Sequence, residues 1–137
     1  MAEAEETDGA QLLVVDDEAL FSAFIKEKFE ELGYSVATAA DAFEALDFVG
    51  RWPAPLVVLL DLRMPRVSGE GLLRELSRSP RAATLRVVLV SAHHAVEVVA
   101  AGHPMVVGRA QKPVDLGELT RMVVGATRAL GLPTGPQ

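Results

Sequence analysis

The chain has 137 residues, half of them apolar, with a net charge of −6 and no cysteine. This length suits one compact domain with a full core, and the lack of cysteine excludes disulfides, thiolate metal sites and thiol nucleophiles. The negative charge argues against a nucleic-acid-binding surface, which would be basic.

The beginning of the chain, MAEAEETDGA, is acidic and polar. It lacks the basic and apolar regions of a signal peptide, and it predicts a disordered leader over residues 1–10. No apolar run approaches the roughly 18 residues of a membrane span. We therefore expect a cytoplasmic protein without membrane contact.

The first half of the chain predicts three strands and two helices. The apolar runs LLVV at 12–15, YSVATA at 34–39 and LVVLL at 56–60 predict strands. A helical stripe lies between the first two runs and consists of Phe21, Ile25, Phe29 and Leu32, with Gly33 as its stop signal. The capping pair Asp41 and Glu44 begins a second helix, which the segment WPAP at 52–55 ends.

The second half continues the alternation. A third helix over about 68–78 carries Leu72, Leu73 and Leu76. RVVLVS at 86–91 predicts a fourth strand, AVEVVAAG at 95–102 a short helix, and PMVVG at 104–108 a weaker fifth strand. The capping pair Asp115 and Glu118 begins the last helix, and residues 132–137 form a flexible tail.

Strands and helices thus alternate five times, which predicts an α/β protein. Strands without polar alternation are typical of a parallel sheet that is covered on both faces. Right-handed crossovers wind such a sheet doubly and give three layers, α/β/α. Ligands of these folds bind at the carboxyl ends of the strands.

Candidate site residues lie at or shortly after the ends of four of the predicted strands. They are Asp16 and Asp17 after the first strand, Asp61 after the third, Ser91 with Ala92 and His93 at the fourth, and Lys112 beyond the fifth. Because the carboxyl ends of parallel strands share one edge, three carboxylates, a hydroxyl and an ammonium are expected to converge there.

Three neighbouring carboxylates repel one another, and a hard divalent cation relieves that repulsion. Oxygen ligands without a histidine or cysteine cage favour Mg²⁺, which accepts one or two carboxylates and a phosphate oxygen. Lys112 and Ser91 can bind an anion. Asp61 is then placed as a nucleophile whose attack on phosphorus makes an aspartyl phosphate.

With these residues in place, the chain resembles the receiver domain of two-component response regulators over residues 11–131. The resemblance is carried by Asp16 with Asp17, by DLRMP starting at Asp61, by Gly69, by Ser91 with Ala92, and by Lys112 with Pro113. It implies a flavodoxin-like, doubly wound five-stranded parallel sheet in the order 2-1-3-4-5.

The resemblance also implies roles for these residues. Asp61 is the phosphoacceptor; Asp17, Asp61 and the Arg63 backbone carbonyl bind Mg²⁺ directly, and Asp16 acts through a metal-bound water. Lys112, Ser91 and Ala92 form the phosphate-binding and switch set. Arg63 and His93 flank the path of the hydrolytic water, and we expect them to set the phosphoryl lifetime.

The implied partners are a histidine kinase or histidine phosphotransfer protein and a downstream protein, with the chain a monomer or weak homodimer. Such a module is not an enzyme beyond catalysing its own phosphorylation and dephosphorylation. Two features depart from the family. Arg109 replaces the aromatic residue three positions before the lysine, and the turn at 102–104 is unusual, so that the fourth helix and fifth strand are expected to be short or shifted.

Two other functions compete with this one. A degenerate receiver would bind a partner without being phosphorylated; the retained acids, hydroxyl and lysine argue against it, and Arg109 keeps it open. A small Mg²⁺-dependent phosphohydrolase would need a second aspartate two residues after the nucleophile, where this chain has Arg63. A nucleotide-binding protein is disfavoured because no glycine-rich phosphate loop follows the first strand.

Overall fold

The computed structural model describes residues 11–52, 54–63, 69–91 and 103–132. Five strands lie in these ranges: β1 (Leu12–Val15), β2 (Val36–Ala39), β3 (Leu56–Asp61), β4 (Leu85–Ser91) and β5 (Val106–Gln111). The α-helices of the same ranges are α1 (Ala19–Glu31), α2 (Ala42–Arg51), α3 (Gly69–Arg78) and α4 (Leu116–Ala129), and a 3-10 turn spans Ala82–Thr84. None of the helices described is long and apolar enough to cross a membrane.

The strands form one parallel sheet in the order β2-β1-β3-β4-β5. This order confirms the predicted flavodoxin-like topology. The chain moves outward from β1 to β2 and then crosses back to β3, so that β1 and β3 are neighbours at the centre of the sheet. The carboxyl ends of these two strands border the crevice where ligands of such sheets bind.

Two apolar cores cover the two faces of the sheet, which confirms the three-layer arrangement. On one face, α2 and α3 pack against alternate strand residues such as Leu13, Val58 and Leu89. On the other face, α1 and α4 pack against the intervening residues, such as Val14 and Leu59. The central strands are buried from both sides, which explains why their sequences show no polar alternation.

Local signals begin and end the helices where the sequence predicts. Gly33 has a φ of 95° and follows α1, where its N–H donates to Glu30 and the next N–H, of Tyr34, donates to Phe29. This is the Schellman arrangement that a left-handed residue permits. The Asp41 carboxylate accepts the Glu44 N–H at 2.9 Å at the start of α2, and the Asp115 carboxylate accepts the Glu118 N–H at 3.0 Å at the start of α4.

The fifth strand lies further along the chain than the range 104–108 predicted for it. It spans Val106–Gln111, because Pro104 has no N–H for the ladder and the Val106 N–H donates to the His103 carbonyl in a turn. Beyond Gly108 the chain stays paired with β4, as far as Gln111 opposite Ser91. The helix predicted at 95–102 lies outside the described residues.

Candidate functional site

Those predicted site residues that the structure describes at the strand ends lie at one edge of the sheet. Asp16 follows β1, Asp61 is the last residue of β3, and Ser91 is the last residue of β4. Lys112 follows β5, and its backbone N–H donates to the Ser91 carbonyl at 2.9 Å. The parallel register therefore gathers residues that are as many as 96 positions apart in the chain.

Three carboxylates form the centre of this site. One oxygen each from Asp16, Asp17 and Asp61 lies within 4.8 Å of the others. Asp16 and Asp61 are buried, whereas Asp17 is exposed. All the donors are oxygens, and their spacing allows one small hard cation to contact several of them, so that the residues fit Mg²⁺.

The two buried acids are oriented in the same way. Asp16 Oδ1 accepts the Glu18 N–H at 2.9 Å, and Asp61 Oδ1 accepts the Arg63 N–H at 3.0 Å. Each carboxylate is thus held by the backbone two residues further on. Its other oxygen, Oδ2, is left facing the lysine.

Lys112 lies between these acids, with its side chain 16% exposed. Its Nζ donates to Asp16 Oδ2 at 2.8 Å and to Glu18 Oε1 at 2.6 Å. The distance from Nζ to Asp61 Oδ2 is 3.8 Å, an ion-pair separation that is too long for a hydrogen bond. The Phe21 ring covers the ammonium, with 4.3 Å between Nζ and the ring centroid.

Burial and neighbouring charges shift the pKa values of Asp61 and Lys112. Burial raises the pKa of Asp61 from 3.8 to about 6; the Arg63 N–H and Lys112 oppose this effect, and the charges of Asp16 and Asp17 add to it. Burial lowers the pKa of Lys112, but its hydrogen bonds to Asp16 and Glu18 outweigh burial and raise it above its ordinary value. Burial together with the crowding of three acids therefore disfavours the charged form of Asp61.

Gly69, at the start of α3, presses against the strand that carries Asp61. A Cβ at this position would overlap the Asp61 carbonyl oxygen and the Leu62 Cα. The Gly69 N–H donates to the Leu62 carbonyl at 3.2 Å. Only glycine allows this close approach, which explains its place in the motif that the sequence shows eight residues after Asp61.

The other predicted residues are only partly described. Ser91 is fully buried at the edge of the site. The Arg63 side chain is exposed, and Arg109 lies on β5 opposite Leu89. Ala92 and His93 lie outside the described residues.

Sequence reasoning missed Glu18 and Phe21 as neighbours of Lys112. Glu18 was visible only as a third acid after the paired aspartates, and Phe21 only as a member of the α1 stripe. Both contacts cross more than 90 positions of the chain. The sole signal in the sequence was their place at the beginning of the helix that follows the acids.

Comparison with known proteins agrees with this geometry. The family model for the response regulator receiver domain matches residues 12–124. Among curated proteins, the chain is 32% identical over 116 residues to the Regulator of RpoS of Escherichia coli K12, an alignment that covers 84% of this chain and 34% of that protein. It is 40% identical over 68 residues to the probable transcriptional regulator ycf27 of Porphyridium aerugineum, which covers 50% of this chain and 28% of the relative. The chain thus spans about a third or less of these relatives.

Solved structures show the same relationship. A response regulator receiver protein from Pseudomonas putida is 33% identical, with a TM-score of 0.73, and the match covers 83% of this chain and 94% of that one. The response regulator TrrA of Thermotoga maritima, solved in complex with Mg²⁺ and BeF, is 25% identical with a TM-score of 0.73 over 85% of this chain and 98% of that one.

The family match covers all five strands of the sheet, together with the described acids and the lysine of the site. Receiver domains are signalling modules of two-component systems rather than enzymes of the ordinary kind, and the acidic pocket of Asp16, Asp17 and Asp61 fits phosphoaspartate and Mg²⁺ binding. The chain belongs to the response regulator receiver domain family.

Proposed function

We propose that this receiver accepts a phosphoryl group on Asp61 from a histidine kinase or a histidine phosphotransfer protein, in a Mg²⁺-dependent reaction. The position of Lys112 carries the proposal, because its Nζ lies 3.8 Å from Asp61 Oδ2. A fixed cation at this distance stabilises negative charge that develops on a transferring phosphoryl group.

Asp61 Oδ2 is the attacking atom, since Oδ1 is engaged by the Arg63 N–H. As the new O–P bond forms, the N–P bond to the donor histidine breaks, and the imidazole keeps that electron pair. The product on Asp61 is an acyl phosphate, a mixed anhydride. Lys112 and Ser91 bind the phosphoryl oxygens, and Ala92 belongs to the same set by its place in the sequence.

When Mg²⁺ binds, Asp17, Asp61 and the Arg63 backbone carbonyl would hold it directly, and Asp16 would act through a metal-bound water. The metal supplies charge neutralisation for the acids and for the phosphoryl oxygens. Asp16 is fixed for this role by the Glu18 N–H on one oxygen and by Lys112 on the other.

Arg63 and His93 set the lifetime of the phosphoryl group by shielding it from water. The support is their place two residues beyond Asp61 and Ser91, the two rim residues that face the phosphoryl group. Dephosphorylation rates of the Arg63→Ala and His93→Ala proteins test this role. Unchanged rates in both variants would reject it.

The receiver unit extends over residues 11–131, acts in the cytoplasm, and signals by binding a downstream protein or by passing the phosphoryl group on. The family match at 12–124 supports this extent. The likeness to TrrA, solved in complex with Mg²⁺ and BeF, supports the proposal that this chain also binds Mg²⁺ and beryllofluoride.

The test is to titrate the protein with beryllofluoride in the presence of Mg²⁺ and to follow amide NMR spectra of the wild type and of Asp61→Asn. A saturable change in the wild type alone is expected. After incubation with a small acyl phosphate, mass spectrometry should detect an added mass of about 80 Da, one HPO₃ unit, on the wild type only.

No spectral change and no added mass in the wild type would overturn the proposal in favour of a receiver that binds partners without phosphorylation. Repeated turnover of simple phosphate esters would favour a phosphohydrolase instead. Transfer of labelled phosphoryl from a phosphohistidine donor to Asp61 would establish the direction of the reaction.

A further inference from the structure

The surroundings of Lys112 contain one partner that the phosphorylation chemistry does not require. Two carboxylates accept hydrogen bonds from its Nζ, and they differ in character. The Asp16 side chain is 2% exposed, and its other oxygen is bound by a backbone N–H. The Glu18 side chain is 63% exposed and reaches Nζ at 2.6 Å.

Glu18 occupies the N-cap position of α1 but does not cap the helix with its side chain. Residues at this position ordinarily use a side-chain oxygen to accept an N–H of the first turn. Here the carboxylate extends across to Lys112, 94 positions away. The side chain therefore makes no capping hydrogen bond, and its hydrogen bond is with the lysine.

We propose that Glu18 is a positioning residue: a releasable latch that holds the Lys112 ammonium in the unphosphorylated protein and opposes binding of an anion at Asp61. This inference rests on the proposed function. A phosphoryl group on Asp61 and the Glu18 carboxylate compete for one ammonium, and both are negative, so that they repel each other.

Glu18 is the partner that can leave. An exposed ion pair is weak because water solvates the released carboxylate well. The Asp16 carboxylate cannot move into solvent in this way, since it is buried and fixed by two hydrogen bonds. When a phosphoryl oxygen approaches, Lys112 can therefore exchange Glu18 for it while keeping Asp16.

The Phe21 ring keeps the ammonium in place during this exchange. Its centroid lies 4.3 Å from Nζ, within the range of a cation–π contact. Loss of Glu18 thus leaves Lys112 with Asp16 on one side and an aromatic face on another. Nζ already lies 3.8 Å from Asp61 Oδ2, so that only a small movement would bring it to a phosphoryl oxygen.

The test compares beryllofluoride affinities at saturating Mg²⁺ for the wild type, Glu18→Gln and Glu18→Asp. The Glu18→Gln protein loses the charge. Glu18→Asp retains the charge, but its side chain is shorter by one C–C bond, about 1.5 Å, so that the carboxylate no longer reaches Nζ. Both are expected to bind beryllofluoride roughly two- to fivefold more tightly than the wild type, the range of an exposed ion pair. Both should accept phosphoryl faster from a small acyl phosphate.

Glu30→Gln is the matched control, because it removes an equal charge from the same helix. Glu30 pairs with Lys26 at 3.6 Å and not with Lys112, so the affinity of this variant for beryllofluoride should equal that of the wild type. Thermal midpoints of Glu18→Gln and Glu30→Gln should stay close to the wild type, since Glu18 makes no side-chain cap. The midpoint of Glu18→Asp can rise, because aspartate is a favoured N-cap residue.

The possible outcomes distinguish failure of the proposed phosphorylation from failure of the proposed Glu18 latch. Wild-type protein that binds no beryllofluoride overturns the proposed function and the latch together. Binding by the wild type with equal affinity in Glu18→Gln overturns the latch and leaves the proposed function standing. Tighter binding in Glu18→Gln with wild-type affinity in Glu18→Asp also overturns it, because charge alone would then explain the effect.

Discussion

At the scale of single residues, the site is organised around the two oxygens of each buried acid. Asp16 and Asp61 each give Oδ1 to a backbone N–H and turn Oδ2 toward Lys112. One ammonium therefore links the ends of β1 and β3. The same ammonium lies 3.8 Å from Asp61 Oδ2, where it could pair with an anion held on Asp61.

Removing this ammonium should weaken anion binding. We expect Lys112→Gln to bind beryllofluoride at least about tenfold more weakly than the wild type, because one charge-assisted contact is lost. Isothermal titration calorimetry at saturating Mg²⁺ measures this change. Lys26→Gln is the control, since Lys26 donates to the Val36 carbonyl and lies outside the Lys112 contacts; an equal loss in both variants would contradict the assignment.

The raised pKa of Asp61 predicts a pH dependence of stability in metal-free protein. Its pKa is about 6 in the folded chain against 3.8 as an ordinary value. Between these values the folded state binds more protons than the unfolded state, so that the free energy of unfolding falls as pH rises from about 4 to about 6.

Asp61→Asn removes this titration and should be the more stable protein above pH 6. We expect a difference of about 1–2 kcal/mol at pH 7, discounted for solvent screening, that shrinks toward pH 4. Urea unfolding with a chelator present measures it. A difference that is constant with pH would show that Asp61 is not the group responsible.

At the scale of elements, the contact between α3 and β3 depends on Gly69, because glycine has no side chain. Gly69→Ala would place a Cβ on the Asp61 carbonyl, and we expect it to destabilise the fold by about 1–3 kcal/mol. It should also weaken beryllofluoride binding, since it displaces Asp61, the acceptor under the proposed function. Urea unfolding and the same titration test both effects.

The control is Gly125→Ala on α4, where an added Cβ meets nothing within 4 Å. This exposed helix position should gain about 0.5–1 kcal/mol from the substitution. If Gly69→Ala were as harmless as Gly125→Ala, the close approach of α3 to β3 would be of no energetic importance.

The elements were predictable where local signals agree with tertiary packing. The strand at 56–60 was correctly predicted because both faces of β3 are buried, and the helix starts at Asp41 and Asp115 because capping is local. The fifth strand was misplaced by two residues at its beginning. The turn at His103 decides where β5 begins, and pairing with β4 decides where it ends. Neither contact can be predicted from a run of apolar residues.

At the scale of the whole molecule, a buried hydrogen bond joins distant parts of the chain on the α1–α4 face. Tyr34 Oη and Thr127 Oγ1 are 3.2 Å apart, and the Tyr34 ring meets Phe29 edge-on. We expect Tyr34→Phe to lower the free energy of unfolding by about 0.5–1.5 kcal/mol, because it removes the hydroxyl and keeps the ring.

Tyr34→Leu should cost more, since it also removes the aromatic contact with Phe29. Chemical unfolding of the two variants beside the wild type separates the two contributions. Equal stability of Tyr34→Phe and the wild type would mean that the bond contributes nothing to the fold.

The rim of Asp16, Asp17, Asp61, Ser91 and Lys112 could be predicted because a parallel sheet brings strand ends together whatever their distance in sequence. The partners of Lys112 could not. Glu18 and Phe21 contact it only through side-chain directions set by the packing of α1. Strand order places residues at an edge, but packing decides which atoms touch.

The bond between Lys112 and Asp16 has one further consequence. A chain that is still being synthesised, or one whose last strand has come loose, has no ammonium beside Asp61. Under the proposed function, such a chain would accept a phosphoryl group poorly. Phosphorylation would then be confined to molecules in which β5 has docked on the sheet.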